Sequence, residues 1–197
     1  MMVRIIKSIS AQYPEEAPPE EGYASFVDSH VIEDIQKHTL RYACLPEPLE
    51  TIGLLYGRLA RWHGSIYSRV TSIAFGKSHS TRSYTRINWE DEKEISTIIE
   101  NIDELPADEN MVLVGWYHSH PGFGCFMSTT DRRTQKRMFP KEYQIAIVID
   151  PLKDEFQIYN INGIAKTKIL GEVSSVRISN AEKEAGIISV PGEKKKC

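Results

Sequence analysis

The stretch Trp116-Tyr117-His118-Ser119-His120-Pro121-Gly122-Phe123-Gly124-Cys125-Phe126-Met127-Ser128-Thr129-Thr130-Asp131 sets two histidines, a glycine-broken turn and an acid in close order. The apolar run 111–118 leading into it has the length of a strand, and side chains two apart on a strand share a face. His118 and His120 therefore project together. Pro121-Gly122 and Gly124 break the strand and permit a tight return, and 128–139 then reads as a helix. Two imidazoles at a strand end, joined by a carboxylate that the loop carries back, match the donor set of an open zinc site. Such a site uses three protein ligands and leaves the fourth position free.

Each part has a plainer account as well. A His-x-His pair is common on exposed strands, and Ser128-x-x-Asp131 fits the acidic form of a capping box. The case for a metal comes from both patterns occurring in order within fourteen residues. A zinc hydrolase also needs a group that moves a proton and a donor that steadies an oxyanion. Glu50 enters the apolar strand 51–59 just after the Pro-broken loop 45–49. Desolvation there would raise its pKa, which suits proton transfer; the competing account is a solvated loop residue, as Glu47 is read.

Outward from this centre, helix and strand signals alternate. Ile32, Ile35, Leu40 and Ala43 fall on one helical face behind a possible N-cap at Asp28 or Ser29, and Pro46 and Pro48 close that helix. Residues 51–59 and 65–75 read as strands joined by a hairpin connection over 58–64. Ile95, Ile98, Ile99 and Ile102 give an amphipathic helix over 89–102. Residues 143–149 and 155–161 read as further strands across a turn at 150–154, and alternation weakens through Ile169 and Ile178. The pattern predicts an α/β domain with a mixed sheet over about 23–178, ordered as an N-terminal strand and acidic Pro-rich linker (1–22), the domain (23–178) and a C-terminal tail (179–197).

Bulk properties narrow the function classes. Of 197 residues, 41% are hydrophobic and 26% charged, the balance of a globular domain, and the net charge of −3 gives no sign of a nucleic-acid or membrane-surface binder. No run approaches the ~20 apolar residues that span a bilayer, and the first residues carry no signal-like apolar run. Cys44, Cys125 and Cys197 are odd in number and form no CxxC, which argues against a disulfide framework and a thiolate zinc site. A cytoplasmic protein is expected.

Taken together, Glu50 before a Gly-containing strand, His118-Ser119-His120, seven residues, Ser128, two residues and Asp131 resemble the signature of the JAMM (MPN+) zinc metalloproteases. The wider string from Val114 to Cys125, with Gln135 and Asp150-Pro151, is similar to the branch of proteasome-lid deubiquitinases and signalosome deneddylases. The likeness covers about residues 25–165 and suggests a compact relative such as an archaeon would carry. It implies an MPN (JAB) domain, a mixed curved sheet flanked by helices, cytidine-deaminase-like. It further implies one catalytic Zn²⁺ on His118, His120 and Asp131, Glu50 as proton shuttle and Ser128 as oxyanion donor. The substrate class implied is ubiquitin or a ubiquitin-like protein joined through its C-terminal glycine to a lysine, with the proteasome as a linked partner. Cys125 would be structural. This chain departs from the branch at Phe126-Met127, Thr129-Thr130 and Arg132-Arg133, and the basic, hydroxyl-rich segment 77–88 falls where the family carries a modifier-contacting insertion.

The rivals differ in class. A non-catalytic MPN scaffold would need none of the five polar residues. A zinc nucleobase deaminase needs His-x-Glu and Pro-Cys-x-x-Cys, and a helical zinc peptidase needs His-Glu-x-x-His; none occurs here.

Overall fold

The computed structural model describes residues 13–75 and 111–178. The expected helix over 89–102, the segment 77–88, the first strand and the C-terminal tail lie outside the described residues. Within them the order is β1 (Ser25–Asp28), α1 (Ser29–Ala43), β2 (Ile52–Trp62), β3 (Ser65–Ala74), β4 (Val112–Ser119), α2 (Thr129–Met138), β5 (Ile145–Asp150), β6 (Glu155–Asn160), β7 (Gly163–Ile164), β8 (Thr167–Leu170) and β9 (Arg177–Ile178). The strands form one sheet in the order β7-β6-β5-β4-β2-β3-β1-β8, with β9 beside β6. Antiparallel and parallel pairings mix: β2 runs against β3 and β4, while β4 with β5 and β1 with β3 are parallel. Bulges at Tyr56 in both of its ladders bend β2, the usual way a sheet acquires curvature. This is the mixed, curved α/β architecture that the sequence predicts.

Alternation along β4 and β5 sorts the two faces. Tyr117, Ile145, Ile147 and Ile149 pack with Val31, Ile32 and Ile35 of α1 and with Leu55. Trp116, Ala146 and Val148 face the other way and pack with Leu54, Met127 and Phe139. Each of these fully buried branched side chains contributes roughly 1.5–3 kcal/mol through removal from water. His118 shares the parity of Trp116, so it stands on the α2 side. The parallel pair β4–β5 needs a long crossover, and that crossover is the loop 120–128 followed by α2.

Several expectations are adjusted by the structure. β2 continues to Trp62, and the hairpin connection shrinks to His63-Gly64, both at positive φ (48° and 81°). A two-residue turn with both φ values positive matches the twist of the flanking strands. Asp28 is the N-cap of α1 but makes no side-chain cap bond; its carboxylate is taken by Arg69 Nε and Nη2 at 2.9 and 3.2 Å. The acidic stretch read as a linker is tied to the sheet: Glu16 N–H donates to Arg61 O at 3.0 Å and Arg61 N–H to Pro14 O at 2.9 Å, and Glu20 pairs with Lys168 at 2.8 Å. β4 pairs with β2 only as far as Gly57, so the rest of that edge of β2 is open, and the stretch covers it. Cys125 is a free, buried thiol.

Candidate metal centre

Strand pairing brings the polar groups together. Ile52 lies opposite His118. One step further, Ser119 N–H donates to Thr51 O at 2.9 Å and Thr51 N–H to Ser119 Oγ at 2.9 Å. Ser119, the residue between the two histidines, is fully buried and acts as this clasp. The clasp carries Glu50 alongside the histidines. Gly53 permits it: a Cβ there would lie 2.4 Å from the Tyr117 ring, whose hydroxyl is held 2.8 Å from His38 Nδ1.

His118 Nε2 and His120 Nε2 are 3.1 Å apart, and Asp131 Oδ2 lies 3.3 Å from the first and 3.9 Å from the second. Ligands at ~2.0–2.1 Å in a tetrahedron stand about 3.3 Å from one another, so this triangle fits a zinc ion. Both histidines are buried and Asp131 nearly so. Their rings are oriented in different ways. His118 stacks on Trp116 with centroids 4.7 Å apart and planes 10° from parallel, and its Nδ1 has no partner. Trp116 Nε1–H donates to Gln135 Oε1 at 2.9 Å, and Gln135 Nε2 donates to Phe139 O and Gln144 O. His120 Nδ1 instead donates to Gly124 O at 3.2 Å, which leaves its Nε2 lone pair turned toward the cluster. Gly122 and Gly124 make the turn at φ of 83° and 92°, where other residues are strained.

Asp131 satisfies both accounts that its sequence permitted. Its Oδ2 accepts from Ser128 N–H at 2.6 Å and its N–H donates to Ser128 Oγ at 3.2 Å, a complete capping box at the start of α2. The same Oδ2 points at His118. The capping box is thus what aims the carboxylate. Ser128 Oγ accepts this bond, and its hydroxyl also stands within reach of the Asp131 carboxylate.

The electrostatics suit cation binding. Burial pushes the His120 pKa down to about 4, with the charge of His118 acting the same way, so its imidazole is neutral near pH 7. Burial works to raise the Asp131 pKa, but the hydrogen bond and charge of His118 and the bonds from Ser128 hold it well below the usual carboxylate range. Glu50, half-buried, has a raised pKa, mainly from desolvation; His118 opposes this and Asp131 adds to it. Burial drives the Cys125 thiol up to about 12, which removes it as a nucleophile. Among the described residues, His118, His120 and Asp131 are the group able to hold a metal.

A family model described as "JAB1/Mov34/MPN/PAD-1 ubiquitin protease" matches residues 21–141, well over half of the chain. The chain belongs to this family. Curated relatives of this JAB/MPN chain include COP9 signalosome complex subunit 5 of Debaryomyces hansenii, 46% identical over 77 residues, covering 37% of this chain and 16% of the relative. The 26S proteasome non-ATPase regulatory subunit 14 of Dictyostelium discoideum is 33% identical over 116 residues, covering 58% of this chain and 35% of the relative. The matched parts are thus at most about a third of those relatives' length. A solved structure described as "JAMM: A Metalloprotease-like Zinc Site in the Proteasome and Signalosome" aligns over 75% of this chain and 98% of its own, at 15% identity and a TM-score of 0.42.

Proposed function

We propose that this JAB/MPN domain is a zinc-dependent isopeptidase that hydrolyses the bond between the C-terminal glycine of ubiquitin or a ubiquitin-like modifier and a substrate lysine. The observation that carries the reading is the convergence of His118 Nε2, His120 Nε2 and Asp131 Oδ2 at 3.1–3.9 Å with Glu50 in electrostatic contact. A scaffold domain has no use for such a grouping, because three buried polar ligands without a cation are costly to gather. Zinc held there supplies a Lewis acid, which brings the pKa of a water to about 7 and polarises a carbonyl oxygen.

The chain's own residues do the rest. Glu50 accepts the proton of the attacking water and returns it to the lysine nitrogen as the amide bond breaks. Its raised pKa brings its proton affinity closer to working pH, where such transfer is efficient. Ser128 turns its O–H toward the developing oxyanion while its oxygen stays fixed by the Asp131 N–H. Phe123 and Phe126 are exposed on the loop beside His120 and supply an apolar rim along which an extended polypeptide tail lies. The likeness to proteasome and signalosome subunits supports a modifier-conjugate substrate and an assembly linked to the proteasome, acting in the cytoplasm.

The test combines elemental analysis with cleavage of ubiquitin and ubiquitin-like fusions, with and without chelator. Glu50→Gln is expected to retain one zinc per chain and to lose about 10²–10⁴-fold in kcat, whereas His118→Ala loses both metal and turnover. Zinc-loaded wild type that cleaves no such fusion, or Glu50→Gln with wild-type rates, would overturn the reading.

A further inference from the structure

We propose that Asp150 is a positioning residue that dictates which ring nitrogen of His120 carries the proton, acting through the backbone of Gly124. The inference rests on the reading of His120 as a metal ligand through Nε2. Asp150 ends β5 with its carboxylate fully buried. Its Oδ1 accepts from Gly122 N–H at 2.9 Å and its Oδ2 from Gly124 N–H at 2.8 Å. Leu152 and Lys153 N–H groups add bonds to Oδ1 at 3.2 and 3.3 Å, and the Lys153 ammonium lies 3.4 Å from Oδ2. One carboxylate therefore gathers the turn after His120 and the turn after β5 onto a single centre.

Gly124 passes that restraint to the histidine. Its N–H is fixed by Asp150, and its carbonyl is the acceptor 3.2 Å from His120 Nδ1. A carbonyl oxygen can only accept, so this contact demands the proton on Nδ1. The His120 backbone is anchored at the same end of β5, with its N–H donating to Ile149 O at 2.8 Å. Ring and acceptor thus hang from adjacent residues, 149 and 150. An unconstrained neutral imidazole favours the proton on Nε2, the arrangement that blocks ligation through that atom. The partner of the second nitrogen settles the tautomer of a ligating histidine, and removing such a partner typically costs about 10–100-fold in metal affinity. His118, whose Nδ1 has no partner, gives an internal contrast: stacking holds its ring, and nothing in the described residues selects its tautomer from behind.

Asp150→Asn keeps the side chain's shape but leaves one accepting oxygen for the four N–H groups of Gly122, Gly124, Leu152 and Lys153. The experiment reads histidine tautomers in the metal-free protein by two-bond ¹H–¹⁵N correlation of the ring nitrogens. Zinc affinity is read separately by competition with a chromophoric chelator. Wild type is expected to show His120 predominantly as the Nδ1–H form. Asp150→Asn is expected to shift His120 toward Nε2–H, leave His118 unchanged and bind zinc about 10–100-fold more weakly. A wild-type His120 that carries its proton on Nε2 overturns the proposal without any variant having to fold. A folded Asp150→Asn with wild-type tautomer and affinity overturns it equally. Neither readout uses turnover, so failure of the isopeptidase reading and failure of this one are separate results.

Discussion

Glu50 is held where its charge is disfavoured, since desolvation raises its pKa above the ordinary 4.5 and only His118 pulls the other way. The sign for stability follows from linkage. A carboxyl with a raised folded pKa binds its proton more tightly folded than unfolded, so its ionisation weakens the fold. That penalty is fully present above the folded pKa and disappears below the unfolded one, where both states are protonated. Glu50→Gln should therefore raise the melting temperature of the metal-free protein near neutral pH, and the gain should vanish as pH falls below about 4.5. Differential scanning calorimetry across that range checks it; a lower Tm for the variant at neutral pH would mean that the charge is favourably paired. In activity the same group sets the acid limb, so kcat/KM should fall as decreasing pH protonates Glu50, and Glu50→Gln should lack that limb.

At the scale of elements, the strand that carries the ligands depends on a neighbour with no side chain. Tyr117 is fully buried between His38 and Gly53, and Gly53→Ala would force the ring, or β2 itself, to move. Overpacking of this kind costs about 1–3 kcal/mol, which urea titration would register as a lower midpoint with an unchanged slope; an unchanged midpoint would show that the ring yields freely. The legibility of the sequence divides along the same line. His118, His120, Ser128 and Asp131 lie within one strand–loop–helix unit, and local periodicity and capping rules suffice to bring them together. For Glu50 the local sequence offers a desolvated base and a solvated loop residue alike, because its approach depends on the clasp between Thr51 and Ser119, 68 residues apart. The length of β2 was misjudged for a related reason: Arg58 and Arg61 are exposed strand positions that resemble turn residues until their neighbours are known. The contact of Glu16 with Arg61 follows from an edge left open by β4, which composition does not encode. Asp150 and Gln135 carried a family likeness, but their work as supports for His120 and for the Trp116 beside His118 appears only in three dimensions.

Across the whole molecule, the candidate metal joins parts that are distant along the chain. Its ligands come from the end of β4 and the first turn of α2, and Glu50 comes from the start of β2; each of these elements also packs into the core beneath the site. A cation that binds only the folded arrangement stabilises it by mass action, about 4.1 kcal/mol when free zinc stands 1,000-fold above its dissociation constant. Chelation should therefore lower the melting temperature, and the loss should reverse on adding Zn²⁺ back. Magnesium should not substitute, because it prefers octahedral oxygen ligands and this triangle offers two imidazoles and one carboxylate. His118→Ala should melt at the same temperature with or without chelator, since one missing ligand leaves too few donors to hold the ion. Two fluorescence-monitored melts per protein decide the matter: a chelator-insensitive wild type would mean that these three side chains meet for a reason other than metal. The comparison also separates roles within the site, because Glu50→Gln should keep the full zinc-dependent shift while it loses about 10²–10⁴-fold in kcat.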